Sequence, residues 1–209
     1  MKLLSKKAKP LKKKKRDSEG LAFFGDNLLI SFERKHRVDL YALDGVKIKK
    51  VVIHVDLRDT ENYDGENKGL ESVTYSKKYG VITAPEIPLI TANNPNHTIY
   101  AKNKTWSFKS RGNITSIEFM NEDDVMILLR EFNYFTRNRV SYLVRLNLAS
   151  CENSFCKSQV LATMDSSKGW VVDNFEGLTK LYDNLYLMVS DDNSSIFQKT
   201  LFVLFEVKN

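Results

Sequence analysis

The feature that most constrains this chain is a repeated unit of strand, tight turn and strand, which returns four times with acidic residues at matching places. The first copy runs through Glu19-Gly-Leu-Ala-Phe-Phe, turns at Gly25-Asp26, and ends its second strand at Glu33. The second runs through Glu71-Ser-Val-Thr-Tyr-Ser, turns at Lys77–Tyr79 and ends at Glu86. The third begins at Thr115-Ser-Ile-Glu-Phe-Met, turns over Asn121–Asp124 and ends at Glu131. The fourth begins at Glu176-Gly-Leu-Thr-Lys-Leu, turns at Tyr182-Asp183 and ends at Asp191.

The runs are short and rich in β-branched and aromatic residues, and Gly, Asn and Asp turn signals separate them, which is the strand signature. No long stretch shows helical spacing with caps. Further strands follow the hairpins, such as Arg37-Val-Asp-Leu-Tyr-Ala-Leu43 and Ser141-Tyr-Leu-Val-Arg-Leu-Asn-Leu148. A repeat of roughly 45–60 residues suits a four-stranded propeller blade. The expected fold class is therefore all-β, a β-propeller of repeated four-stranded blades forming an incomplete ring in this chain. The expected domains are a basic segment over residues 1–16 and a propeller domain over 17–209 with about four blades, truncated at its N-terminus.

The net charge of +6 belongs to one end of the chain. Residues 1–16 hold nine Lys and Arg and no acid, so subtracting nine leaves −3 for residues 17–209. A basic run can bind nucleic acid or an anionic membrane. The favoured reading is a solvated tail or an edge strand whose lysines block pairing. No aromatic residue is interleaved with these lysines to stack a base, so nucleic acid is not an expected partner. The start carries charge but no apolar core, so it does not read as a secretory signal. The expected location is periplasmic or secreted if a signal lies upstream, and cytoplasmic otherwise. No run reaches the ~20 apolar residues of a membrane span. Cys151 and Cys156 share one short loop and could form a disulfide in an oxidising compartment or stay as two thiols. The histidines, His36, His54 and His97, show no metal-ligand spacing, and His36 between Lys35 and Arg37 reads as exposed loop.

The chemistry is expected at the carboxylates. Glu19, Glu71 and Glu176 recur at one repeat position, and Glu33, Glu86, Glu131 and Asp191 at another. On successive blades such positions would circle one axis and form a ring of acids. Crowded carboxylates repel, so some must protonate or a cation must neutralise them. Oxygen ligands of this kind suit Ca²⁺ or Mg²⁺. Asp192 and Asn193 add oxygens beside Asp191. The competing reading is that these acids accept backbone N–H groups and fix turns.

Asp17-Ser-Glu-Gly-Leu-Ala, Asn67-Lys-Gly-Leu-Glu-Ser-Val-Thr and Asp173-Asn-Phe-Glu-Gly-Leu-Thr, with Leu185-Tyr-Leu-Met-Val-Ser-Asp-Asp-Asn193, resemble the phytase-like, "esterase-like activity of phytase" family. The closing Thr200-Leu-Phe-Val-Leu-Phe-Glu-Val207 is similar to that family's last strand. The resemblance covers roughly residues 17–207 and implies an exported β-propeller that hydrolyses an ester or phosphoester of a small molecule. It implies catalytic roles for Glu71 and Glu176, with Arg34 and Arg130 holding a phosphate, and Lys35 or Arg137 as further cations. Metal-ligand roles fall to Glu19, Glu33, Glu86, Asp191 and Asp192, with Ca²⁺ as the expected cofactor. Thr115 departs from the acidic pattern. The alternative function is a non-catalytic propeller that binds a ligand or protein. No nucleophile elbow or phosphate-binding loop competes with these readings.

Overall fold

The structure is a computed structural model that describes residues 2–12, 15–65, 68–92 and 95–208. Lys13 and Lys14 of the basic run and Asn67 of the second motif lie outside the described residues. The chain is all-β, and each expected hairpin is present. Its sheets are simple antiparallel meanders, the blade sheet of a β-propeller.

The chain divides into two units, Met1–Ser107 and Phe108–Asn209. In the first, β1 (Ser18–Phe24), β2 (Asn27–Phe32), β3 (Arg37–Ala42) and β4 (Lys47–Lys50) form one sheet in sequence order. A second sheet follows with β5 (Leu70–Ser76), β6 (Gly80–Pro85), β7 (His97–Tyr100) and β8 (Thr105–Phe108), the last strand ending at the unit boundary. The second unit holds β9 (Asn113–Phe119), β10 (Asp124–Phe132), β11 (Arg139–Asn147) and β12 (Ser158–Asp165), then a sheet of β13 (Asn174–Tyr182), β14 (Leu185–Asp191) and β15 (Phe202–Glu206). The fourth repeat thus has three strands among the described residues, where the repeat length predicts four.

Within each unit the first strands of the two blades pack side by side, β1 against β5 and β9 against β13. The second strands β2, β6 and β10 are buried on both faces, which explains their unbroken apolar runs, whereas β14 alternates. In β2, Leu29 faces a core shared with Val38, Leu40, Leu70, Val73 and Tyr100. Its neighbours Leu28, Ile30 and Phe32 point the other way, into a smaller cluster with Tyr41. Alternation along one strand thus feeds two cores. In the second unit, Met126 and Leu128 of β10 pack with Leu143, Phe175, Tyr186 and Met188.

The basic segment is not a solvated tail. Leu4 N–H donates to Gly45 O at 2.8 Å, and Leu4 O accepts from Lys47 N–H at 3.2 Å, so the segment pairs beside the β3–β4 turn. Leu3 packs onto the Leu28, Ile30, Phe32 and Tyr41 cluster. The two leucines between the charges provide the anchor, and the lysines around them stay in solvent. No helix among the described residues is long and apolar enough to cross a membrane.

Candidate functional site

The repeat acid has a specific structural position. In every first strand the register slips by one residue where the motif falls. Leu70 pairs with Pro85 and Ser72 with Ala84, so Glu71 is the extra residue of a β-bulge. Glu176 is extra between Phe175 and Gly177, and Thr115 between Ile114 and Ser116. In β1, Glu19 and Gly20 together oppose Ser31. A bulge re-aims its side chain and bends the strand, and such bulges recur beside active sites. Thr115, without an acid, turns inward and donates its hydroxyl to Phe175 O at 3.0 Å, tying β9 to β13.

Gly20 shows why glycine follows the acid. A Cβ there would stand 2.6 Å from Ser31 Oγ, 2.7 Å from Val73 N and 2.8 Å from Ser72 Cα. The glycine lets β1 approach the β5 backbone. Gly69 plays the same part at the mouth of the second repeat, where a Cβ would meet Glu33 O and His36 Nδ1.

In the first unit the structure gathers Asp17, Glu33, Arg34, Lys68 and Glu86. Lys68 Nζ lies 2.6 Å from Glu86 Oε2, and Arg34 Nε 3.0 Å from Asp17 Oδ2. Glu86 is buried, and its Nζ partner covers it. Glu33 N–H donates to Asp17 O. Burial raises the Glu33 carboxyl above the usual range; the charges of Asp17 and Glu86 add to this, and Arg34 and Lys68 pull the other way. The repulsion expected of crowded acids is therefore met twice over, by a displaced proton equilibrium and by two cations of the chain.

His36 corrects the sequence reading. It is buried rather than exposed, and its ring stacks on Tyr63 at 3.7 Å between centroids. Burial lowers its pKa. Its charged neighbours hid this, because Tyr63 arrives from a distant loop.

In the second unit Arg130 Nη1 lies 3.2 Å from Glu176 Oε1, and Asn174 Nδ2 donates to the same oxygen. Arg130 thus pairs with the bulged acid of the next repeat. Its sequence neighbour Glu131 instead accepts from the Tyr142 hydroxyl at 2.7 Å. Asp173 accepts from Lys199 N–H at 2.8 Å and lies 3.8 Å from Arg139 Nε. Asp17 and Asp173 lead their motifs and each meets an arginine, a role that the motif spelling signalled but that the choice of Glu alone missed.

Two other expected ligands, Asp191 and Asp192, serve a turn. Asp191 accepts from Asn193 N–H at 2.9 Å, and Asp192 from Ser194 N–H at 2.8 Å and from the Thr200 hydroxyl at 3.0 Å. Glu19 sits exposed on β1, and Glu71 is half-buried on β5. Lys35 and Arg137 occupy matching left-handed turn positions, φ 59° in both, and are exposed. Among the described residues no three His, Cys, Asp or Glu side chains come together as a metal set. Ca²⁺ takes six to eight oxygens, and Asp17, Glu86, Glu176 and Asp173 each already face a lysine or arginine.

Cys151 and Cys156 are joined in a disulfide, Cα atoms 4.3 Å apart, which closes the β11–β12 turn. The family model described as "Phytase-like: Esterase-like activity of phytase" matches residues 1–194. No curated protein matches the chain.

Proposed function

Because the chain belongs to the phytase-like family, we propose that it hydrolyses an ester or phosphoester of a small molecule, with Glu33 as the proton carrier and Arg34 and Lys68 as the anion-holding cations. The observation that carries this reading is the crowding of Glu33 by Asp17 and Glu86 beside two cations. A carboxyl raised above its ordinary range holds a proton more readily than a free one, which suits it to pass a proton to and from a reacting group.

The step balances simply. Glu33 carboxylate takes a proton from water as its oxygen attacks the carbonyl carbon or the phosphorus. The bond to the leaving oxygen breaks, and protonated Glu33 returns the proton to that oxygen. Arg34 and Lys68 hold the charge that builds on the other oxygens. The bulged Glu71 lies on β5, three residues beyond Lys68, and the second unit has its own cation–acid pair in Arg130 and Glu176.

The test is turnover of p-nitrophenyl acetate and p-nitrophenyl phosphate by the wild type, Glu33→Gln and Lys68→Met, with and without added Ca²⁺. The reading expects turnover that falls on the order of 10²-fold or more in Glu33→Gln, with the melting temperature retained. A Ca²⁺-dependent rate would restore the metal mechanism. No turnover by folded wild type would leave a binding propeller, and equal turnover in both variants would move the site elsewhere.

A further inference from the structure

The second unit contains a cavity of about 480 Å³ that none of the repeat acids lines. It lies among the β9–β10 and β13–β14 turns, with walls from β11, β12 and the end of the chain. Glu176 and Lys180 show the separation. They are four residues apart on β13, about 13 Å at strand rise, with Glu176 at the motif end and Lys180 on the cavity wall. We propose that this cavity is a second site, which binds a small molecule through an oxyanion group held by Lys180, Arg145 and Lys208.

The size is right for a small ligand, since binding pockets span roughly 300–1,000 Å³. The lining is mixed in the way such sites are: three cations against two acids, Asp124 and Asp183, with the amides of Asn121, Gln159 and Asn184 and apolar contact from Met120, Leu161 and Val207. The cradle is prepared in advance. Asp124 is buried and its carboxylate accepts from Arg145 Nη2 at 2.7 Å, Asn121 Nδ2 at 2.7 Å and Asn147 Nδ2 at 3.0 Å. Arg145 is thereby fixed through one nitrogen, and a guanidinium carries five N–H donors. Lys180 is fixed as well, its Nζ donating to Met120 O at 2.6 Å.

Glu118 makes the site specific to this repeat. Aligned on the bulge, its position is that of Ala22, Thr74 and Thr179 in the other three first strands. The blade needs no acid there. Here Glu118 Oε1 accepts from Lys180 N–H at 3.3 Å. Burial raises the carboxyl to about 7, against the N–H and the ammonium of Lys180. Facing it are Lys180 from β13 and Tyr186 from β14, whose hydroxyl is itself raised by burial and by the charges of Glu118 and Asp124. Asp124 from β10, Arg145 from β11 and Asp183 from the β13–β14 turn line the cavity, to which Glu118 is coupled through Lys180. Ionised Glu118 is a resident counter-charge for Lys180. Once protonated, it yields that cation to the ligand, so oxyanion binding strengthens as pH falls.

Sulfate and acetate keep their charges between pH 6 and 8 and are suitable probes. The experiment is a thermal-shift titration of the full chain with each anion at both pH values. The expected result is a saturable rise in melting temperature, with dissociation constants about tenfold lower at pH 6 than at pH 8 for a carboxyl titrating near 7. Glu118→Gln binds at pH 8 as the wild type does at pH 6, and Lys180→Met binds at least about tenfold more weakly. Preference for sulfate identifies a phosphate-type ligand, and preference for acetate a carboxylate-type one. The proposal is overturned if neither anion gives a saturable shift, or if Lys180→Met binds like wild type. Should Lys180→Met not fold, an unchanged pH dependence in Glu118→Gln overturns it. Because the readout is binding, the result stands apart from any loss of turnover at Glu33.

Discussion

Arg130 on β10 and Glu176 on β13 form an ion pair at 3.2 Å that joins the second strand of one blade to the bulged acid of the next. Both side chains are about 30% exposed, so water screens them and the pair is worth less than about 1 kcal/mol. A double-mutant cycle with Arg130→Met and Glu176→Gln in urea is expected to give a coupling of about 0.5 kcal/mol. A coupling several times larger would show that the pair organises the interface beyond its own charge.

Gly20 is a stronger constraint than either acid beside it. Its missing Cβ would collide with two backbone atoms of β5 as well as Ser31 Oγ. Backbone cannot rotate away, so β1 must retreat from β5. Gly20→Ala is expected to destabilise the chain by about 2–3 kcal/mol, read from the urea midpoint. A cost below about 0.5 kcal/mol would mean that the two first strands are not in the contact described.

Hairpins were legible in the sequence because their signals are local. Asn27–Phe32 and Leu185–Asp191 read as strands from their own residues, and Gly25-Asp26 and Asp183 read as turns. The recurrence of acids was legible for the same reason. What each acid meets was not. Arg130 reaches Glu176 because the bulge re-aims that acid toward the neighbouring blade, and Glu86 takes Lys68 because the β5–β6 hairpin brings its two ends together. A bulge is one unpaired residue and leaves no trace in periodicity. His36 read as exposed because burial there depends on Tyr63 and Gly69, which only the fold brings near. Glu118 was invisible as chemistry for the opposite reason: it lies in a strand already accounted for, away from the recurring acidic positions.

The raised carboxyls set a pH dependence of stability. Glu118, at about 7 when folded, binds its proton more tightly than in the unfolded chain. Its contribution is full below the unfolded value and is lost as pH rises through about 7. Asp124 works in the opposite sense. Burial pushes it up, but donation by Arg145, Asn121 and Asn147 holds it below its ordinary value, so its contribution is lost only as pH falls into the acid range. Buried His36, whose pKa is lowered, works in the opposite sense at the acid end, so the readout is the difference between wild type and Glu118→Gln: from pH 6 to 8 the wild-type urea midpoint is expected to decline relative to the variant's. A difference that does not change with pH would contradict the raised Glu118 carboxyl.

The disulfide closes a loop of about six residues, which the chain-entropy relation values at about 2 kcal/mol. Reduction is expected to lower the melting temperature by about 4–8 °C. Alkylation and mass measurement of the unreduced protein should find neither thiol reactive. Full labelling of Cys151 and Cys156 without reductant would show that the purified chain does not carry the bond.

The N-terminal segment offers the sharpest separation of charge from packing. If its lysines serve a charged partner, neutralising them should alter binding and leave folding intact. If Leu3 is the working residue, the reverse holds. Leu3 packs on Leu28, Ile30, Phe32 and Tyr41, and Leu4 pairs with Gly45 and Lys47 through the backbone. Leu3 is only partly buried, so Leu3→Ala should remove roughly half the burial term of a leucine and cost about 1 kcal/mol. Replacing Lys6, Lys7 and Lys9 together by Gln, all exposed, should change stability by less than about 0.5 kcal/mol. Equilibrium urea unfolding of the two variants decides between the roles. A larger loss in the triple lysine variant than in Leu3→Ala would show that charge, rather than the leucine anchor, holds this segment to its sheet.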